Sequence, residues 1–218
     1  MAFVDPNDVS IVTKTRGHRQ KVLRGTVYDE ADYRHSCGMH RHVKAGSAEV
    51  SPISTTFVPA LLAVNKQIHA EAINYLYGHK FTFENFIALI EFLTVIGQRN
   101  QQRLSTVRVV HWGSGRGASK LANHCGLTML SGATNLKALE LNGTVDTRGP
   151  AQLAKQIFRE GYHFIQAYGA ANGSKDAAVD IIHLSDAAFK FWRQRKSATI
   201  EEHRQTFKHQ LRALANAL

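Results

Sequence analysis

At 218 residues, 44% hydrophobic and 20% charged, the chain has the composition of a globular protein with one core, and not that of a disordered segment. Its 27 Lys and Arg against 17 Asp and Glu give a formal charge of +10, a balance suited to nucleic acid, an acidic partner or anionic lipid. Only Cys37 and Cys125 are present, so no disulfide framework forms, and no apolar run nears the roughly 18 residues of a membrane span; both features suit an intracellular, reducing compartment, cytosol or nucleus.

In chain order, Asp5-Pro6 is a turn dipeptide, after which Val9, Ile11 and Thr13 alternate with polar residues. With Lys21 to Val27 they predict a β-hairpin around Arg16-Gly17-His18. From Tyr28 to Thr56 there is no apolar period, which predicts a long loop and a division into residues 1–56 and a single domain over 57–218. That loop holds His35, Cys37, His40 and His42 within eight residues. Imidazole and thiolate are the ligands zinc prefers, which makes the four a candidate metal set. Their spacing matches no established zinc pairing, so a solvated His-rich loop is the preferred reading.

Leu61, Val64, Ile68, Ala72 and Tyr75 recur at steps of three and four, one face of a helix that Gly78 ends. Phe81 and Phe83 then alternate with Thr82 and Glu84, as in a half-buried strand. Asn85 is placed to cap a second helix with Phe86, Leu89, Ile90 and Leu93 on one face and Gly97 at its close. Here Leu61-Leu62, Val64 to Ile68, Glu71-Ala72, Leu76-Tyr77, Phe81 and Phe83 stand in an order that resembles a large group of poorly characterised fungal F-box-like proteins. The resemblance covers residues 57–110. It implies a protein-interaction role. Members usually open on F-box-like helices that reach the adaptor of the SCF ubiquitin ligase, whereas the present chain opens on the predicted hairpin; the expectation is that it does not bind that adaptor.

Internal repetition carries the fold. Leu104, Val107 and Val109 form the pattern apolar-x-x-apolar-x-apolar, and Leu136, Leu139 and Leu141 repeat it 32 residues later. Val179, Ile182 and Leu184 repeat it 43 residues after that, and Phe81 and Phe83 fill its last two places 26 residues before Val107 and Val109. Each copy precedes helical or turn-rich sequence. The predicted fold is therefore α/β: an N-terminal β-hairpin, then irregular leucine-rich-repeat-like strand–helix units with a mostly parallel sheet, or a generic alternating βα sheet. Pro150 to about Tyr168 predicts a helix weakened at Gly161, and Ser185 one with Phe189 and Trp192. Thr199 with Glu202 forms a capping box before a C-terminal amphipathic helix with Phe207, Leu211, Leu214 and Leu218.

No nucleophile elbow, P-loop or paired carboxylates occur, and a non-enzymatic protein-interaction scaffold with no cofactor and an unidentified protein partner is the expected function. Its binding surface is expected to be the open sheet face, with Thr82, Arg108, Glu140 and His183 as a polar row, one residue per strand. Two alternatives compete. A basic nucleic-acid-binding protein would use Arg and Lys of the terminal helices. A nucleotide or S-adenosylmethionine site would use Gly113, Gly115 and Gly117, which follow a strand and precede a helix, with Glu140 as a ribose carboxylate.

Overall fold

A computed structural model of the chain describes residues 8–16, 19–24, 73–112, 118–143, 149–189 and 198–217. Six strands form one sheet: β1 (Asp8–Arg16), β2 (Arg19–Arg24), β3 (Lys80–Phe83), β4 (Thr106–Val109), β5 (Ala138–Leu141) and β6 (Ile182–Leu184). Their spatial order is β2-β1-β3-β4-β5-β6. The hairpin pair β1–β2 is antiparallel, and every other neighbouring pair is parallel. Because β1 pairs with β3, the hairpin belongs to the same sheet as the later strands.

Helices alternate with the parallel strands: α1 (Phe86–Gln101), α2 (Ala118–Met129) with a 3-10 turn at Leu130–Gly132, α3 (Pro150–Asn172), α4 (Ala177–Ile181) and α5 (Ile200–Asn216). Among the described residues no helix is long and apolar enough to cross a membrane. The fold is thus mixed α/β with a mostly parallel sheet.

The alternation of side chains along each strand decides what the sheet buries. One inward row runs Phe81–Val107–Leu139–Ile182 and the next Phe83–Val109–Leu141–Leu184, in register across four strands. All eight are buried in one core cluster with Leu89, Leu93, Leu153 and Ile165 of the helices. The apolar anchors three residues ahead are buried as well, Leu104 and Leu136 in the turns before β4 and β5 and Val179 inside α4. Between strands the backbone continues the ladder: Val110 N–H donates to Phe83 O at 2.9 Å, and Ser185 N–H to Leu141 O at 3.2 Å.

Helix boundaries follow local chemistry, with a correction at Gly97. The Asn85 side chain accepts from Ala88 N–H at 3.0 Å, as a cap should. Gly97 does not close that helix. It takes φ 71° and ψ 165°, breaks the helical path, and a further turn continues to Gln101, whose buried amide donates to Leu93 O at 3.1 Å. The Ser185 hydroxyl accepts from Gly143 N–H at 3.4 Å. Helix α3 is kinked at Gly161 (φ −106°, ψ 16°) and runs past Tyr168 to Asn172, and the Tyr168 hydroxyl donates to Leu136 O at 2.8 Å. Thr199 and Glu202 form both bonds of the capping box. From there His203, Phe207, Leu211 and Ala215 make the buried stripe of α5, with Leu214 half-buried beside it.

One carboxyl lies in this layer of helices. Glu160, 2% exposed, accepts from Gln156 Nε2 at 3.0 Å and Asn123 Nδ2 at 3.3 Å. Burial pushes its pKa above the ordinary 4.5, against the pull of those two donors and of Arg159 and Lys120. A folded-state pKa raised in this way gives stability that is complete below the unfolded value and is lost as pH rises through the folded one. Glu160→Gln keeps the shape and cannot ionise. The variant is expected to gain stability relative to the native chain as pH climbs from 4 to 8, measured by urea unfolding at each pH; a difference independent of pH contradicts the assignment.

Candidate interaction face

The outward positions of the same strands define the candidate site. Thr82, Arg108, Glu140 and His183 lie side by side in one register row across β3 to β6, at an interstrand step of about 4.8 Å. In the backbone ladder Thr82 pairs in turn with Ser10 of β1. Strand order and register therefore bring together all four residues proposed from the sequence. One differs from expectation: Thr82 is 2% exposed. At that burial Thr82 is not an open contact.

Charges of both signs meet along this row. Lys80 Nζ lies 2.8 Å from Glu140 Oε2, and Arg108 Nε lies 3.8 Å from the same oxygen. With its amide oxygen turned towards Arg108, Asn142 accepts from Nε at 2.8 Å and from the guanidinium Nη2 at 2.6 Å. Lys80, Arg108 and Glu140 are between 26% and 30% exposed, so these pairs are bathed in solvent on one side. Half-exposed pairs of this kind contribute roughly 0–1 kcal/mol each. They hold the side chains in order and yield at low cost to a partner that offers equivalent charges.

His183 ends the row and is exposed. Partial desolvation, then the cations Lys208 and Arg204, hold its pKa below the ordinary 6.5, while Glu140 pulls it up. Beyond it, between β6 and α5, lies a cleft of about 240 Å³. Arg204 is held on its rim by Asp186 at 2.7 Å and Glu201 at 2.6 Å.

Glu140 is engaged by Lys80 and Arg108 on the open face, an arrangement unlike that of a ribose carboxylate at a strand's carboxyl end. Gly113, Gly115 and Gly117, and the set His35, Cys37, His40 and His42, lie outside the described residues, as do Ile68 and Trp192. Among the described residues no group of three or more His, Cys, Asp or Glu is gathered as for a metal ion. Sequence reasoning missed Lys80, two residues before Thr82 on β3 and so on its face, and Asn142, two residues after Glu140 and just past the end of β5. Arg204 and Lys208 are among the Arg and Lys of the terminal helices named for the nucleic-acid alternative; what no local signal gave is that α5 docks beside β6. Comparisons with family models, with curated proteins and with solved structures each give no match.

Proposed function

We propose that the protein is a non-enzymatic interaction scaffold of leucine-rich-repeat-like build, in line with the F-box-like resemblance of residues 57–110, and that the open sheet face makes its contact. The observation that carries this reading is the in-register row Arg108–Glu140–His183 on strands whose opposite face is wholly apolar and buried. A second feature supports the repeat build. The Asn135 side chain donates at 2.9 Å to Gln102 O, 33 positions earlier, so that the turn before β5 stacks on the turn before β4. The row contains donors, acceptors and charges of both signs, which suits recognition of a polar protein surface.

The nucleic-acid reading is weaker on this geometry. The arginines of α5 are committed within the chain: Arg204 to Asp186 and Glu201, and Arg212 to Asp180 at 2.5 Å. Affinity capture from cells that express the protein, run in parallel with Lys80→Ala/Glu140→Ala, tests the proposal. The double variant should fold normally and lose the specific partner by about tenfold or more in recovery. Equal recovery by both proteins rejects the open face; binding to arbitrary RNA with a steep salt dependence favours nucleic acid instead.

A further inference from the structure

Strand pairing holds only the base of the hairpin in the sheet. Asp8 to Ile11 of β1 pair with Lys80 to Phe83 of β3, whereas Val12 to Arg16 pair with β2 alone among the described strands. Those five positions, with Leu23 to Arg19 opposite them, form a two-stranded arm. Since β1 runs parallel to β3, the arm continues past the carboxyl end of β3, for about 14 Å at roughly 3.4 Å per residue.

The charge of this arm is of one sign. From Val9 to Tyr28 the sequence has five Lys and Arg and no Asp or Glu. In the ladder Lys14 stands opposite Lys21, and Arg16 opposite Arg19. Positions opposite one another on an antiparallel ladder share a face, as do positions two apart, so all four cationic positions fall on one face of the arm. Like charges directly opposite destabilise a hairpin, and a polyanion laid along that face removes the repulsion. The arginines of α5 are held by acids of the chain, Arg204 by Asp186 and Glu201 and Arg212 by Asp180. The arm has no acid of its own to do the same.

We infer that this arm binds double-stranded DNA, with Lys14, Arg16, Arg19 and Lys21 meeting its phosphates. The major groove of B-form DNA, about 12 Å wide, admits a two-stranded β-ribbon, while that of an RNA duplex is too narrow for side chains to read. Val9 to Val27 contain no Phe, Tyr or Trp on which the bases of a single strand would stack. Between Lys14 and Lys21 there is no Val, Ile, Leu, Phe or Trp to enter a lipid surface. Contacts to phosphate carry no sequence information, so the expected binding is general and not sequence-specific. This activity goes beyond the sheet-face reading and shares no residue with it.

The test is fluorescence anisotropy of a labelled DNA duplex of about 20 bp, titrated with the full chain from about 50 to 200 mM salt. Four phosphate contacts give a slope of log Kobs against log salt of about −3.6. Arg16→Gln/Arg19→Gln should bring that slope to about −1.8 and weaken binding roughly tenfold or more at the lower salt. Lys14→Gln/Lys21→Gln should do the same. Each removes a like-charge pair, so both variants should be at least as stable in urea as the native chain, and the loss of binding is not a loss of fold. Lys155→Gln/Lys175→Gln makes the same change of net charge at exposed positions in α3 and just beyond it, and should bind as the native chain does. An equal loss in that control reduces the binding to net charge and overturns the inference. So do unchanged binding by both arm variants, tighter binding of a single strand or an RNA duplex than of the DNA, or arm-dependent binding of phosphatidylserine vesicles with none of the duplex. None of these outcomes bears on the sheet face, which is read by the capture of a protein partner.

Discussion

Leu139→Ala is expected to lower the free energy of unfolding by about 2–5 kcal/mol. Leu139 is 0% exposed and sits in the inward row between Val107 and Ile182, so truncation opens a cavity flanked by strands on both sides. Neighbouring residues on three strands would have to move together to fill it, which places the cost well above that of surface change. Glu140→Ala, one residue away on the opposite face, is the control; its ion pairs are half exposed and its loss should cost under about 1 kcal/mol. Urea unfolding of the two variants reads the register directly. A Leu139 variant as stable as the Glu140 variant would mean that inward and outward positions have been exchanged.

Gly143→Ala should be comparably damaging, at about 3 kcal/mol or more. Gly143 follows β5 at φ +159°, where a Cβ would lie 1.5 Å from the carbonyl oxygen of Trp112. That oxygen belongs to backbone, and the same peptide segment is fixed because Trp112 N–H donates to Asn142 O at 2.8 Å and Asn142 N–H to Val109 O at 2.8 Å. The clash cannot be relieved by a rotamer. Relief requires parting the ends of β4 and β5, where the 1%-exposed Trp112 packs into the core. Thermal unfolding of the purified variant checks this; a melting temperature unchanged from the native chain would contradict the close approach of the two segments.

The sheet was legible in the sequence because its signal is local and repeated. In Leu104-x-x-Val107-x-Val109 and its copies, the strand parity and the anchor three residues earlier recur together, and the parity alone assigns Arg108, Glu140 and His183 to the other face. Repetition then gives the register, since equivalent strands align at equivalent residues. Other features depend on partners distant in sequence. The pairing of β1 with β3 joins residues 8–11 to 80–83, and no residue between them announces it. Parity marks Lys80 as outward, but its partner Glu140 is two strands away. The burial of Thr82 is likewise not encoded in a polar–apolar pattern, which assigns it to the outward face. At Gly97 a stop signal was outweighed: the residues beyond are polar, yet Gln101 satisfies its amide inside the core and holds the last turn in place.

Among the described residues four large apolar side chains offer a partner a rival surface, because they are exposed on helices and not on the sheet. Tyr75 is 69% exposed, Val95 82%, Leu121 64% and Ile87 40%. They lie apart along three helical segments (residues 73–77, α1 and α2), whereas the open row is one continuous line of polar groups. Hydroxyl-radical footprinting of the protein alone and in complex with its captured partner decides between the two. The scaffold account expects oxidation of His183 to fall on binding while Tyr75 and Leu121 stay as reactive as in the free protein. Protection of Tyr75 and Leu121 with His183 unchanged would contradict it, and would move the interaction surface from the sheet to the helices.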